Sequence, residues 1–277
     1  MVKYVIPNSL NDALDILSAG QYMPYAGGTD INSRNIKGKD LLFIGKLPEL
    51  KNVFREDGFV HIGAAVTYSD AEKNPLVPEI MKTAIHKVAG PAIRNLGTFG
   101  GNLGNASGKA DSALVNLTLG AKLHVQSADS ERYINMSDFY HSRGVTDLKK
   151  GELITEILIP DCPWHINYYY DKVSVRSAVA ISNVSIAAVW EIRDDMIKNL
   201  ALGIGSATDY PIRITDLENE FIGVKLENVE KQYDAVISKY IDHLRLPPDR
   251  TGEYYRRRVT FNLLTYLVKE EFTPVKY

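Results

Sequence analysis

The sequence predicts an α+β protein built from two domains. Its 277 residues exceed the ~150 that are typical of one domain, so each half can bury a hydrophobic core. Strand and helix patterns alternate over the first half, whereas the second half shows a run of antiparallel strands followed by two amphipathic helices. Because Pro160 and Pro163 interrupt any regular element, we expect domains at 1–162, subdivided near 55–58, and at 163–277.

The elements of the first half follow from helix caps and apolar spacing. Ser9 is suited to cap a helix that Gly20 ends, and Thr67 is suited to cap a second, short helix. The apolar positions between Ile80 and Val88 recur at helical spacing. In order, we expect strands at 3–6, 41–44, 59–64, 122–126 and 153–159, and helices at 10–18, 77–88 and 113–119.

The second half reads as a hairpin-rich sheet with two closing helices. We expect antiparallel strands at 173–175, 184–192 and 197–204, with Arg193-Asp194-Asp195 connecting the last two. Amphipathic helices are predicted at 228–244 and 251–271. The run from Gly203 to Thr208 has the start of a dinucleotide fingerprint but lacks its third glycine, so we interpret it as a turn that ends a strand.

Composition excludes several classes of partner and site. Lys and Arg number 32 against 34 Asp and Glu, and this near-neutral charge argues against nucleic acid or an anionic membrane as a partner. A single cysteine, Cys162, excludes a disulfide framework, a cysteine zinc site and an iron–sulfur cluster held by this chain alone. No signal peptide and no apolar run near ~18 residues is evident, so we expect a cytoplasmic protein.

Two glycine pairs carry the chemistry that the sequence offers. One lies in Ala26-Gly27-Gly28-Thr29-Asp30 and the other in Thr98-Phe99-Gly100-Gly101-Asn102. Paired glycines allow positive φ and close approach of a ligand, and successive N–H groups can converge on an anion. Side-chain donors adjoin both pairs, so together they suit a diphosphate. Tight turns remain the alternative interpretation, and neither segment matches a Walker A or GxGxxG motif.

The same residues resemble a known family. The first segment, followed by Ile93-Arg94-Asn95-x-Gly97-Thr98-x-Gly100-Gly101-Asn102 and then Ala110-Asp111-Ser112, is similar to the FAD-binding medium subunit of molybdenum hydroxylases. This family includes the flavin subunits of xanthine dehydrogenases, carbon monoxide dehydrogenase and 4-hydroxybenzoyl-CoA reductase. The similarity extends over essentially the whole chain. It departs from the family at Gly108-Lys109, where many members have Pro-Ala.

The resemblance implies a two-part FAD-binding domain of the vanillyl-alcohol oxidase type, followed by a C-terminal antiparallel sheet with helices like that of carbon monoxide dehydrogenase flavoproteins. It implies that the FAD diphosphate lies between the two glycine segments. Asp111 matches an acidic position near the adenosine, and Ile154 and Lys172 match an apolar and a basic position near the cofactor. The residues so assigned to FAD are Tyr25, Ala26, Gly27, Gly28, Thr29, Asp30, Ile31, Thr98, Gly100, Gly101, Asn102, Asp111, Ile154 and Lys172.

The resemblance also implies a role in electron transfer. Electrons would arrive from molybdopterin on a large partner through 2Fe–2S clusters on a small partner, and FAD would pass them to NAD⁺ or another acceptor. We expect no catalytic acid or base and no metal ligand on this chain, and interpret His141 and Glu156 as structural. A purine is a working guess for the substrate of the complex. The alternatives are a self-contained FAD-dependent reductase of the related fold and a nucleotide-binding adaptor without redox activity.

Overall fold

A computed structural model describes residues 3–33, 39–162, 164, 167–174, 182–244 and 252–272. The chain divides into two compact units, the first formed by Met1–Ser107 with Gly120–Asp161 and the second by Gly108–Leu119 with Cys162–Tyr277. The short segment Gly108–Leu119 thus groups with the C-terminal half, although the domain limits themselves stay a prediction. The predicted limits at Pro163, Val175 and Thr251 lie outside the described residues.

The first unit begins with a small parallel sheet and a capped helix. The strands β1 (Tyr4–Val5), β2 (Tyr22–Tyr25) and β3 (Asp40–Phe43) pair in the order β1-β3-β2. Helix α1 (Leu10–Ser18) matches the predicted bounds, and the Ser9 hydroxyl accepts the amide of Asp12 at 3.1 Å, as expected of an N-cap. Its apolar face packs into a core with residues of β3.

The first unit also contains an antiparallel sheet of five strands. Its strands lie in the order β4 (Val53–Glu56), β5 (Phe59–Gly63), β10 (Leu153–Pro160), β6 (Lys122–Gln126) and β7 (Glu131–Asn135). The turn at Asp57 and Gly58 joins β4 to β5, so the subdivision predicted near 55–58 falls inside a hairpin. The chain leaves the three-stranded sheet and enters the five-stranded sheet before Val53. The unit also contains α2 (Tyr68–Lys73), α3 (Glu79–His86), α4 (Pro91–Arg94), α5 (Phe99–Gly104) and the pair β8 (Tyr140–Ser142) and β9 (Val145–Thr146).

The second unit contains one antiparallel sheet and several helices. The strands lie in the order β11 (Asn167–Ser174), β12 (Ser182–Arg193), β13 (Met196–Gly205) and β14 (Ile212–Arg213). Asp194 and Asp195 adopt positive φ, which confirms the predicted hairpin between β12 and β13. These findings confirm the α+β prediction. The unit also contains α6 (Asp111–Thr118), α7 (Thr215–Asn219), α8 (Leu226–His243) and α9 (Glu253–Tyr266), which continues as a π-helical turn at Leu267–Glu271.

Both faces of this sheet are covered, which is why the first nine residues of β12 are all buried. Alternate residues of β12 and β13 pack into the core formed with the later helices. On α6, Thr118 Oγ1 lies 2.3 Å from the point where a Cβ on Gly203 would sit, and Leu114 crowds both Gly203 and Gly205. These glycines therefore lie in the last residues of β13 and leave room for this helix. The strand ends at Gly205 and Ser206 adopts a φ of 62°, so the run does end a strand, as predicted.

A carboxylate between two histidines crosses the five-stranded sheet of the first unit. Glu156 Oε2 on β10 lies 3.3 Å from His61 Nδ1 and 3.8 Å from His124 Nδ1, and His124 Nε2 lies 2.9 Å from Glu131 Oε2. The neighbouring Glu156 carboxylate raises the pKa of His124, with a further contribution from Glu131 against the effect of burial. His124, followed by His61, holds the pKa of Glu156 below its usual range.

These shifts predict a pH window for the stability that Glu156 contributes. Because the pKa of His124 is raised in the folded chain, its interaction with Glu156 stabilises the fold fully at a pH below 6.5, the pKa of histidine in the unfolded chain. This contribution is lost as the pH rises through the pKa of His124 in the folded chain. The lowered pKa of Glu156 stabilises above the unfolded value of 4.5 and is lost as the pH falls. We therefore expect Glu156→Gln to reduce the free energy of unfolding most between those two values. Urea unfolding of both proteins in and above this window measures it, and an equal loss at alkaline pH would contradict the assignment.

Candidate functional site

The first glycine segment is a turn that follows β2 directly. Gly28 adopts a φ of 68°, and its carbonyl accepts the amide of Asn32 at 3.1 Å. The Asn32 side-chain amide donates to the Tyr25 hydroxyl at 3.1 Å, so these two side chains join the two ends of the turn around Gly28. A Cβ on Gly28 would lie 2.0 Å from that hydroxyl oxygen. Positive φ and this crowding both require glycine here, as predicted.

Three consecutive backbone amides of this turn are unused. In the part of the chain that the structure describes, the N–H groups of Gly27, Gly28 and Thr29 donate to no protein acceptor. Gly28 is buried, and buried N–H groups in folded proteins nearly always find a partner. The turn therefore presents three donors that no described residue of the chain accepts, and a phosphate oxygen is one acceptor with the chemistry to use them.

The second glycine segment is the start of a helix, not a second open loop. Thr98 is the N-cap of α5, and its hydroxyl accepts the amide of Gly101 at 3.2 Å. The amide of Phe99 donates to Val66 O, and that of Gly100 donates to Ala64 O at 2.8 Å. The expectation that both segments present free amides is thus wrong for the second, because the cap and neighbouring chain already accept these N–H groups.

The two glycines of α5 differ in what surrounds them. A Cβ on Gly100 would lie 2.6 Å from the Ala64 Cβ, so this glycine lets the helix approach the end of β5. Gly101 is exposed, and only Thr98 Oγ1 lies within 4 Å of the position its Cβ would take. Gly100 therefore serves packing, whereas Gly101 leaves an open surface over the first turn of the helix.

The two glycine segments adjoin one another. A Cβ on Gly27 would lie 1.7 Å from Leu96 O and 3.3 Å from Gly97 N, so two stretches of backbone pack directly together. The Gly97 carbonyl in turn accepts the amide of Tyr68 at 3.0 Å. The sequence predicted that the two segments act together but gave no sign of Leu96, because a backbone contact leaves no signature at the residue that supplies the carbonyl.

Asp111 and Lys172 lie in the second unit and bind each other. Lys172 Nζ donates to Asp111 Oδ2 at 2.8 Å, and Ser182 Oγ donates to Asp111 Oδ1 at 2.9 Å. Both charged side chains are more than nine-tenths buried. Burial and the charge of Asp111 raise the pKa of Tyr170 well above its usual range. Removing either charge would leave the other buried without the opposite charge of this ion pair, so the pair is a fixed element of this unit.

The structure of the second unit explains why glycine stands at position 108, where many family members have proline. A Cβ on Gly108 would lie 2.3 Å from Asp209 O, and the Gly108 carbonyl accepts the amide of Ser206 at 3.0 Å. Glycine thus permits backbone packing against the segment after β13. Ser206, at a φ of 62°, stays in place through this bond. The loop is therefore held by a backbone bond although it lacks the family's proline.

Ile154 lies in the first unit, 3% exposed, opposite Val125 of β6. A register shift between Ile154 and Glu156 marks a β-bulge there, and the Thr155 carbonyl accepts the amide of Ala64 at 2.9 Å. Ala64 also accepts from Gly100, so the bulge supports the segment on which α5 rests. The remaining predicted residues, Ala26, Asp30, Ile31 and Asn102, lie within the two segments described above.

Within the described ranges, no three His, Cys, Asp or Glu side chains come together in an arrangement that could hold a metal ion. Among the same residues, no helix combines the length and the apolar character that crossing a membrane requires.

Comparison with known proteins gives the family. A model of the FAD binding domain in molybdopterin dehydrogenase matches residues 1–162, and one of the CO dehydrogenase flavoprotein C-terminal domain matches residues 168–270. The glyceraldehyde dehydrogenase medium chain of Sulfolobus acidocaldarius is 30% identical over 270 residues, which cover 95% of each chain. The nicotinate dehydrogenase FAD-subunit of Eubacterium barkeri is 29% identical over 262 residues, covering 89% of this chain and 88% of that one.

Solved structures share the fold. A chain of the Cu,Mo-CO dehydrogenase superposes with a TM-score of 0.91 at 23% identity, over 98% of this chain and 97% of that one. A chain of quinoline 2-oxidoreductase from Pseudomonas putida 86 gives 0.89 at 21% identity, over 100% and 99%. Since one family model spans more than half of the sequence and a relative is 30% identical along nearly all of it, this chain belongs to the FAD-binding medium subunits of molybdopterin-containing dehydrogenases.

Proposed function

We propose that this chain is the electron-exit subunit of a molybdenum hydroxylase complex. It receives electrons from 2Fe–2S clusters on a small partner, which take them from molybdopterin on a large partner. It passes them to NAD⁺ or another acceptor. The relatives named medium chain and FAD-subunit support this assignment. With one cysteine the chain has too few thiolates to hold a cluster itself, so the clusters belong to a partner.

The observation that carries the proposal is the row of unused amides at Gly27, Gly28 and Thr29. A diphosphate offers several charged oxygens, and each hydrogen bond to a charged group contributes about 1.5–3 kcal/mol. Three such bonds are enough to anchor a dinucleotide. Thr98, Gly100, Gly101 and Asn102 supply the wall beside this anchor, because the Leu96–Gly97 backbone holds the start of α5 against Gly27.

Other residues of this chain position and shield the cofactor. Tyr25, Ala26, Asp30 and Ile31 shape the turn around the diphosphate. Asp111, fixed by Lys172 and Ser182, accepts hydrogen bonds from the adenosine side, and Lys172 places a cation near the flavin. Ile154 excludes water. FAD itself supplies the redox chemistry when bound, so the chain needs no acid or base of its own.

We also propose a substrate class for the complex and its location in the cell. The substrate binds the large partner, and a purine is the class we favour. The E. coli putative xanthine dehydrogenase FAD-binding subunit is 30% identical over 220 residues, covering 76% of this chain and 75% of that one. We place the complex in the cytoplasm, since a chain with one cysteine has no disulfide that would need an oxidising compartment.

Titration of the purified chain with FAD tests the assignment. We expect about one FAD per chain, a flavin absorption spectrum, and co-purification with a small iron–sulfur subunit and a large subunit when the chain is tagged in its own cell. A chain that takes up no FAD would indicate a non-redox adaptor. A chain that binds FAD and turns over NADH with a substrate in the absence of partners would indicate a self-contained reductase.

Gly27→Ala tests the anchor itself. The new Cβ would overlap Leu96 O, so the turn has to move and its amides lose their positions. We expect FAD affinity to fall by about a hundredfold or more, with a stability loss of about 1–3 kcal/mol from overpacking. Flavin fluorescence titration and thermal unfolding measure the two effects.

The matched control is Gly104→Ala in α5. Nothing lies within 4 Å of the position of its Cβ, and the site is exposed and helical. Alanine there should stabilise the helix by about 0.5–1 kcal/mol and leave FAD affinity unchanged. Unchanged affinity in Gly27→Ala, or an equal loss in both variants, would show that the turn does not hold the diphosphate.

A further inference from the structure

Arg94 is a partly buried cation that the flavin assignment does not use. Its Nη1 lies at the carboxyl end of α3 and donates to three backbone carbonyls, His86 O at 3.3 Å, Val88 O at 3.1 Å and Ala89 O at 3.1 Å. Its Nε lies 3.7 Å from Glu72 Oε2, and the side chain is 11% exposed. A cation at this end of a helix is favoured by the helix dipole and satisfies carbonyls that have no helical partner.

Arg94 fastens a short segment of backbone. It ends α4, and the Gly97 amide donates to Ile93 O at 2.7 Å just beyond it. Ser69 Oγ on α2 donates to Asn95 Oδ1 at 2.6 Å, and the Tyr68 amide donates to Gly97 O. The segment from Ile93 to Gly97 is thus tied to α2 through these bonds and to α3 through the guanidinium.

The fastened segment is the one on which the first glycine turn rests. Leu96 O occupies the space that a Cβ on Gly27 would need, and Thr98, one residue after Gly97, caps α5. A shift of the Leu96 carbonyl by a few tenths of an ångström would press on, or release, the backbone of Gly27. The position of the three unused amides therefore depends on where Arg94 holds this segment.

We propose that Arg94 is a positioning residue of the FAD diphosphate site, acting through the Leu96–Gly97 backbone on the amides of Gly27, Gly28 and Thr29. This inference rests on the proposed function. The arginine of the Ile93-Arg94-Asn95 run makes its three carbonyl contacts through Nη1 alone. Lysine keeps the charge and one donating nitrogen on a shorter side chain, so it replaces this arrangement only in part.

The experiment compares Arg94→Gln and Arg94→Lys with Arg132→Gln in the full chain. Arg132 is also in the first unit and also fastens a loop, through Nε to Glu152 Oε1 at 2.8 Å and through Nη1 to Asp147 Oδ2 at 2.6 Å. The substitution Arg132→Gln removes one positive charge, as Arg94→Gln does, together with these hydrogen bonds. Among the described residues, Arg132 forms its hydrogen bonds and ion pairs with Asp147 and Glu152 and none with either glycine segment. It is therefore a control for lost stability.

FAD affinity, thermal midpoint and the visible circular dichroism of bound flavin are measured for each variant. We expect Arg94→Gln to weaken FAD binding by about tenfold or more and to change the dichroism of bound flavin, with partial recovery in Arg94→Lys. Arg132→Gln should lower the thermal midpoint at least as much while FAD affinity stays within about twofold of wild type. Arg94→Lys keeps the test available if the glutamine variant fails to fold.

Two results would overturn the inference. One is wild-type affinity and dichroism in both Arg94 variants, since the arginine would then be structural only. The other is an equal loss of affinity in Arg132→Gln, since general destabilisation would then explain the effect. Both presuppose a wild-type chain that binds FAD. A wild-type chain that takes up none overturns the proposed function, and this inference with it.

Discussion

The contact on which the candidate site depends is one of backbone against backbone, between Gly27 and the Leu96 carbonyl. No side chain could take part at that distance, so the position at 27 admits only glycine. The contact brings a turn after β2 beside the start of α5, although about 70 residues of chain separate them. Everything else in the first unit that bears on the site, from the Thr98 cap to the bulge at Ile154, supports one side or the other of this contact.

The two glycine segments have different tasks, which their similar sequences conceal. The first leaves three consecutive amides without an acceptor among the described residues, whereas the second uses its amides internally and forms a helix start with an open surface at Gly101. The charged residues Asp111 and Lys172 of the second unit are also held in place by other groups of the chain. Asp111 and Lys172 are already paired and buried, so a ligand that meets them finds rigid groups and loses less entropy in ordering them.

Local chemistry explains which parts of the fold could be predicted. The Ser9 and Thr67 caps and the Asp194–Asp195 hairpin depend on residues next to one another, and all three are confirmed. The second glycine segment was predicted wrongly because the acceptors of its amides, Ala64 and Val66, lie more than 30 residues earlier in the chain. A composition of glycines and threonines cannot distinguish a capped helix from an open turn.

The sequence motif proposed residues for the site but could not predict their partners in the fold. The pairing of Lys172 with Asp111 spans 61 residues and depends on a sheet and a helix meeting, and Leu96 contributes only a carbonyl. A crystal structure of this chain with FAD would test most directly whether the turn holds the diphosphate. We expect diphosphate oxygens within about 3 Å of the amide nitrogens of Gly27, Gly28 and Thr29. A diphosphate bound elsewhere, with those three amides still unused, would contradict this expectation.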